Sequence, residues 1–466
     1  MKNVKIAYIG GGSKQWARVF MNDLALDNSF TGEISLYDID SEAALRNKLI
    51  GDRINENPKC INKWKYTVAK DIKECLTGAT FVVISILPGT FDEMMVDVHA
   101  PNKYGVYQTV GDSTGPGGVL RAMRSVPIFI EYAKKIEKYA KDAWVINFTN
   151  PMSLCTMSLF DSFKGIKAFG CCHEVFHAQN FLAMCMEEEL GLSERPKREE
   201  IVVDVSGINH FTWISEAKYK DDDIFKYLPS FIDKHIDEGI YEGEDKFAFK
   251  YNTFAYGNKV KMDAFKRYGV LAAAGDRHLV EFFPNDMYSK DEETLKKNGV
   301  LITPVSYRID NMNKKINESI LMAEGKKEIE LKKSDEEAID IMKALLGLKT
   351  LKTNVNYINN GQVEYLPLGS LVESNCIFSE NNIEPLKSNS LPKEVEGFIL
   401  RNTLNNNLLY EGIKERDLNK IFNSFKNQPF LDTLTLEEKK NLFKEMVRGT
   451  RKYLDKYYDL SKLDLI

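Results

Sequence analysis

The sequence predicts an alpha/beta protein with an N-terminal doubly wound parallel sheet and a C-terminal alpha+beta part. Three observations predict it. Short apolar runs alternate with amphipathic helical patterns over the first 210 residues, turn residues close the runs, and the second half departs from that alternation. Strands separated by helices imply beta-alpha-beta units, and therefore parallel pairing. With 466 residues the chain has room for more than one domain. The change of pattern puts a boundary near residue 200, giving a nucleotide-binding unit over 1–200 and a substrate- and metal-binding unit over 201–466.

The apolar runs are Val4–Ile9, Glu33–Tyr37, Thr80–Leu87, Ala143–Phe148, Ile166–Cys171 and Ile201–Val205, with helical patterns such as Ser13–Leu26 and Ser41–Asn55 between them. Gly10-Gly11-Gly12, Pro88-Gly89 and Asn150-Pro151 lie at strand carboxyl ends, where open alpha/beta sheets bind ligands. Residues 221–250 are charged, aromatic and helical in pattern. Residues 311–346 carry a charged helical stretch ending in the apolar Ala338–Leu346. Residues 352–382 read as short strands around Asn359-Asn360-Gly361, and 391–464 return to helices. No repeat or low-complexity linker interrupts the chain, so the second half is expected to pack on the first as a continuation.

Composition excludes several classes. Apolar residues make up 43% and charged residues 28%, as in an ordinary globular protein. The net charge of −5 comes without a Lys/Arg stripe, which argues against nucleic acid. No apolar stretch approaches a membrane span, and the run at the N-terminus is too short for a signal peptide. Seven cysteines, with Cys171 and Cys172 adjacent, argue for a reducing compartment, and the cytoplasm is the simplest expectation.

Gly10-Gly11-Gly12-Ser13 follows a strand and opens a helix. Gly10 would permit the tight turn, and Gly12 would let the backbone approach a pyrophosphate drawn to the helix N-terminus. Gln15 stands where the third glycine of G-x-G-x-x-G would be, so these residues also fit a plain strand-to-helix turn. The second strand ends in Asp38, an acceptor for ribose hydroxyls that would repel a 2′-phosphate and so favours NAD. Its spacing of 28 residues from Gly10 is longer than usual, and Asp38 could instead cap the next helix.

Cys172 and His210 each follow a strand. A thiolate and an imidazole at adjacent strand ends can hold one divalent metal and leave positions open for substrate. Taken singly, each is as well explained as core. His173-Glu174-Val175-Phe176-His177 matches the H-E-x-x-H pattern of zinc peptidases, but it begins at a strand–helix junction rather than within a long helix, so the peptidase reading is set aside. The loop 110–118 contains Asp112 and precedes Arg121 and Arg124. Asn147 and Asn150 place two amides at a strand end. The stretch from Asp276 to Glu281 crowds two acids, Arg277 and His278 together. Such a concentration of acid–base groups speaks against a non-catalytic nucleotide sensor.

Taken together these stretches resemble glycoside hydrolase family 4 over nearly the whole chain. The motifs are Tyr8 to Ser13, Gly111 to Gly118, Asn150-Pro151, Cys172-His173-Glu174-Val175 and Gly207-Ile208-Asn209-His210. Within the family, Ile84 to Gly89, Cys171 to Phe176, Ile208 to Ile214 and Ala273 to His278 resemble the bacterial alpha-galacturonidases. The resemblance implies a Rossmann-like, lactate/malate dehydrogenase-like fold that cleaves alpha-galacturonides, such as di- or oligogalacturonate, with NAD and a divalent metal, Mn2+. It implies oxidation at sugar C3, removal of the C2 proton, elimination of the aglycone, addition of water and return of the hydride, an exception to two-carboxylate glycosidases.

By the same resemblance Cys172 and His210 hold the metal, and His173 is placed to protonate the leaving group. Asp276 is favoured as the base, with Asp112 and Tyr256 as alternatives. Gly10, Gly12, Ser13, Asp38 and Asn147 are expected at the cofactor, and Asn150, Asn209 and Arg277 at the sugar. Arg277 would bind the uronate carboxylate, or else pair with Glu281 one turn along a helix. Relatives are homodimers or homotetramers. The alternatives are a glucosidase, galactosidase or glucuronidase of the same family, and outside it a plain NAD-dependent hydroxy-acid dehydrogenase.

Overall fold

A computed structural model describes residues 1–241, 252 and 254–466, so the expected helix over 221–250 lies partly outside the described residues. Within that span Leu228–His235 is helical. Six strands pair in parallel: β1 (Lys2–Ile9), β2 (Phe30–Tyr37), β3 (Lys65–Val68), β4 (Phe81–Ile84), β5 (Trp144–Asn147) and β6 (Lys167–Gly170), in the order β3-β2-β1-β4-β5-β6. This doubly wound order opens a crevice between β1 and β4. Alternation along β1 serves two cores. Ile6 and Tyr8 pack with Phe20, Phe30 and Trp64 on one face, and Ala7 and Ile9 with Val82, Ile84 and Phe129 on the other.

Two strands differ from expectation. β3 was hidden in the sequence because it is four residues long and only Tyr66 is buried. The run beginning at Ile201 is β7 (Ile201–Ile208), and it is antiparallel to its neighbours rather than a sixth parallel strand. It forms a hairpin with β8 (Phe211–Tyr219), which also carries the edge strand β9 (Asp222–Asp223) and β10 (Leu271–Ala272). β11 (Leu351–Ile358) and β12 (Leu371–Ser379) form a second hairpin, edged by β13 (Asn382–Pro385). β11 meets β6 at Asn356 opposite Gly170, so one sheet of 13 strands crosses the expected boundary near residue 200.

Helices from the second half close the first. Val119, Leu120 and Met123, on the helix Gly115–Tyr139, pack against Leu409, Phe425 and Phe443 from the C-terminal helices. Each such side chain, fully buried, contributes roughly 1.5–3 kcal/mol. Ile339 and Met342, on the helix Ala338–Leu345, join the core over Ile6 and Tyr8. The helical stretch expected over 311–346 is two helices, because Gly325, at φ +74°, follows the last turn of Val305–Ala323 and terminates it. Among the described residues no helix is long and apolar enough to cross a membrane.

Among the described residues one ion pair is wholly interior. Arg124 donates through both terminal nitrogens to the carboxylate of Asp97, at 3.1 Å for one of them, and both side chains are buried. Removing one partner strands the other charge without water. Arg124→Met is expected to cost about 3–5 kcal/mol of unfolding free energy. Arg448→Met, which breaks an exposed pair with Asp464, should cost at most about 1 kcal/mol. Urea denaturation of both variants checks the contrast, and equal losses would contradict it.

Candidate active site

A cleft of about 790 Å³ runs along the carboxyl ends of β1, β4, β5 and β6 to the β7–β8 turn. At its first end the chain leaves β1 through Gly10, at φ +94°. A Cβ there would stand 2.0 Å from the Ser85 carbonyl oxygen, so the turn requires glycine. The N–H groups of Gly10 and Gly11 both donate to the Tyr37 carbonyl at 2.9 Å. The Asp38 carboxylate accepts from the Gly12 N–H at 2.8 Å and from the Asp40 N–H at 2.9 Å. Asp40, not Asp38, caps the following helix, accepting from the Ala43 N–H at 3.0 Å. Ser13 Oγ accepts from the Trp16 N–H at 3.0 Å and closes the first turn of the helix Trp16–Ala25. A glycine turn, a helix N-terminus and an acid at the end of β2 can together hold a dinucleotide.

At the other end stands His210, in the two-residue turn closed by Ile208 opposite Phe211. Its φ is +62°, in the left-handed region where such turns favour glycine or asparagine. A non-glycine residue held there costs of order 1–3 kcal/mol and is characteristic of functional sites. The His210 ring lies on that of His278, with centroids 3.7 Å apart. Its Nδ1 is 2.8 Å from Ser113 Oγ and 3.9 Å from an Asp112 oxygen. Asp112 accepts from the Ser113 hydroxyl at 2.8 Å and from the Asn150 amide at 3.2 Å. Asp112, His210 and His278 each offer a ligand atom within 4.8 Å of the others. Glu281 holds the preceding loop in place, accepting from the N–H groups of Thr109, Val110 and Gly111 at 2.7, 2.6 and 3.0 Å.

Burial governs the charges. It holds both imidazoles below the usual histidine range, His278 at about 3 with the adjacent His210 adding to the effect. They are thus neutral, the form that ligates metals. Burial opposes ionisation of Asp112, yet His278, Arg121, His210 and the Ser113 hydroxyl hold its carboxyl well below the usual range. Glu174 is likewise held low against burial, beside His278 and His210, and accepts the Gly275 N–H at 2.6 Å. The Cys172 thiol is pushed well above its ordinary value by burial and by Glu373 and Glu174, so it is protonated here, and binding a divalent cation would release that proton.

A polar atom left over in this region fits such a guest. The Asn150 Oδ1 is buried without a hydrogen-bonding partner, and the Asn209 amide sits between the Cys172 thiol and the Glu373 carboxyl. Buried polar groups are almost always paired, so the Asn150 oxygen has room for a ligand's donor. A thiol, two imidazoles and a carboxylate suit a divalent transition metal, and the Gly10 cradle suits a pyrophosphate.

Several expected residues share this one cleft: Gly10, Gly12, Ser13 and Asp38 at one end, and Asp112, Asn150, Cys172, His173 and His210 at the other. His173 Nδ1 lies 3.3 Å from Glu336, and its ring faces Trp16 at 5.9 Å. Asn209 lies in the same turn as His210.

Three residues are placed otherwise. Asn147 does not line the cleft; its amide donates to the Thr149 carbonyl and Thr156 Oγ1 and accepts from the Thr149 N–H, which shapes the end of β5. Asp276 is buried and accepts from the N–H groups of Val260 and Lys261, at 3.1 and 3.0 Å, at the start of the helix Lys259–Tyr268. Burial raises its carboxyl to about 6, but it points at that helix end rather than into the cleft. Arg277 donates to the Thr109 carbonyl at 3.3 Å and to Thr303 Oγ1 at 2.7 Å, and among the described residues it makes no ion pair with Glu281. Tyr256 packs its ring against Gly275.

The site also holds residues the sequence did not assign to it: His278, Glu174, Glu336, Arg121 and Arg308. His278 was the most findable. It stands two places beyond Asp276 on a short helix, and at about 3.6 residues per turn the two point in nearly opposite directions. Arg308 and Glu336 lie on segments without any motif, and only folding brings them here.

Comparison with known proteins agrees with this geometry. The alpha-galacturonidase of Thermoanaerobacterium saccharolyticum is 46% identical, with 97% of each chain covered. A Bacillus subtilis protein described as a glucosidase has a solved structure that superposes with a TM-score of 0.90 at 41% identity, covering 96% of this chain and 100% of that one. A 6-phospho-alpha-glucosidase from gut microorganisms, solved in complex with NAD and Mn2+, shares the fold at a TM-score of 0.79 and 18% identity, covering 97% and 99%. Residues 5–188 match the family 4 glycosyl hydrolases and residues 205–431 match the C-terminal domain of the same family. With both halves matched, the chain belongs to the family 4 glycosyl hydrolases.

Proposed function

We propose that this protein hydrolyses alpha-galacturonides, using NAD and a divalent metal, Mn2+, bound in the one cleft. The observation that carries the reading is that a dinucleotide cradle at Gly10–Ser13 and the side chains of Cys172, His210 and Asp112 line the same cleft, with His278 close against His210 and Asp112. A plain dehydrogenase needs no such cluster. The 46% identity to an alpha-galacturonidase supports the uronide as substrate. The family resemblance supports a cytoplasmic homodimer or homotetramer, which light scattering of the purified protein would check.

When bound, NAD supplies a hydride acceptor that becomes the donor again at the end of the cycle, and the metal supplies a Lewis acid at the sugar oxygens. Cys172 and His210 would hold the metal, with His278 beside His210. Asp112, ionised and beside them, takes the proton from sugar C2. His173, facing the cleft beside Glu336, hands a proton to the departing glycosidic oxygen. Asn150 orients the sugar through its unpartnered Oδ1, and Asn209 supports it from the turn that carries His210. Burial of the cluster keeps bulk water from competing with these transfers.

Purified protein incubated with digalacturonate, NAD and Mn2+ should release galacturonate without net NADH. Chelation should abolish release, and added Mn2+ should restore it. Steady NADH accumulation without cleavage would instead mark a dehydrogenase, and release from maltose or melibiose alone would change the sugar.

The two aspartates separate by their surroundings. Asp112→Asn should lower kcat roughly 100-fold or more, as loss of a general base does. Asp276→Asn should keep kcat within a few-fold but lose about 1–3 kcal/mol of stability, since one buried N–H loses its acceptor. Steady-state kinetics beside urea unfolding reads both, and the opposite pattern would return the base to Asp276.

A further inference from the structure

We propose that Arg308, together with Arg121, is the receptor for the substrate's carboxylate. The proposal rests on the uronide reading above and deepens it. The two residues come from opposite halves of the chain, Arg121 from the helix Gly115–Tyr139 and Arg308 from the helix Val305–Ala323, and both line the cleft beside Asp112 and Asn150.

Each guanidinium is incompletely satisfied. The Nε of Arg308 and the Nε of Arg121 are both buried without a partner. An unmade hydrogen bond from a buried charged donor is costly, so an acceptor is missing from each. The carboxylates nearby cannot supply it. Asp112 is taken up by the Ser113 hydroxyl and the Asn150 amide, and Glu281 by the backbone of 109–111. Arg277 adds a third guanidinium to the group, and together with burial it lowers Arg308 to about 10. The surplus of positive charge is what a bound anion would neutralise.

The surroundings also fix orientation. The Phe254 ring has the Arg277 guanidinium 4.9 Å and the Arg308 guanidinium 5.2 Å from its centre, and Tyr307 packs edge-on against it at 5.5 Å. A planar guanidinium held against an aromatic face presents its donor fork in one direction, the geometry that grips a carboxylate with two parallel hydrogen bonds. Arg277 also has an unpartnered Nε, but its terminal nitrogen is committed to Thr109 and Thr303, and it does not line the cleft. A sugar phosphate would also be an anion, more highly charged than a carboxylate. The fork and the identity to an alpha-galacturonidase favour the carboxylate.

The test is calorimetric titration of the NAD- and Mn2+-loaded enzyme with galacturonate, galactose and galactose 6-phosphate, for the unaltered protein, Arg308→Gln, Arg308→Lys and Arg121→Gln. NAD binding, followed by tryptophan fluorescence, confirms that each variant is folded. The expected result is a loss of galacturonate affinity on the order of 100-fold in Arg308→Gln, smaller in Arg308→Lys, with weak galactose binding unchanged. Arg121→Gln should weaken galacturonate in the same selective way. Galacturonate affinity unmoved in Arg308→Gln, or galactose lost equally, would overturn this assignment alone. Tighter, Arg308-dependent binding of galactose 6-phosphate would replace the carboxylate with a phosphate. Failure of the unaltered enzyme to bind galacturonate would overturn the uronide reading, and this inference with it.

Discussion

The close approach of β1 and β4 is the contact on which the rest of the site depends. The two strands pair through Ile9 and Ile84, and the Ser85 N–H extends the ladder to the Ile9 carbonyl at 2.9 Å. Immediately beyond, Gly10 passes so close to the Ser85 carbonyl that no side chain can stand between them. The helices after these strands cover opposite faces of the sheet, so their loops part here and leave a crevice. Several of the groups with chemistry to offer hang from its rim: the glycine turn after β1, Thr149 and Asn150 after β5, and Cys172 and His173 after β6.

Dryness then decides the protonation states. Burial holds the His210 and His278 imidazoles below their usual range, while those histidines, joined by Arg121 and the Ser113 hydroxyl at Asp112, hold the Asp112 and Glu174 carboxyls below theirs against burial. The outcome is neutral ligands beside ionised carboxylates within a few ångströms, a combination that exposed side chains could not sustain. Glu281, pushed up to about 7 by burial, instead accepts from three backbone N–H groups and thereby fixes the loop that carries Asp112.

The two halves of the chain are bound to each other by the same logic. The nucleotide wall comes from the first half, while His210, His278 and Arg308 come from the second. A single sheet runs through both, joined where β11 lies against β6, and the helix Gly115–Tyr139 is buried between its own half and the C-terminal helices. Neither half alone would close the cleft.

Much of this was legible in the chain of residues. The apolar runs located five of the six parallel strands, and the turns after them located Gly10, Asp38, Asn150, Cys172 and His210, because a strand end and the residue type that follows it are local properties. Asp40 rather than Asp38 capping a helix, or Asn147 turned into its own strand end, could not be read this way, since hydrogen-bond partners depend on where a side chain points. Asp276 and His278 show the limit most clearly. Two places apart in sequence, they face a helix terminus and the reacting centre respectively, and helix rotation separates them. The residue types and their order along the strands were determined by the sequence itself. Which acid is spent on structure, which stays ionised in the cleft, and which arginine reaches it from the other half of the chain were decided by packing between segments that share no local signal.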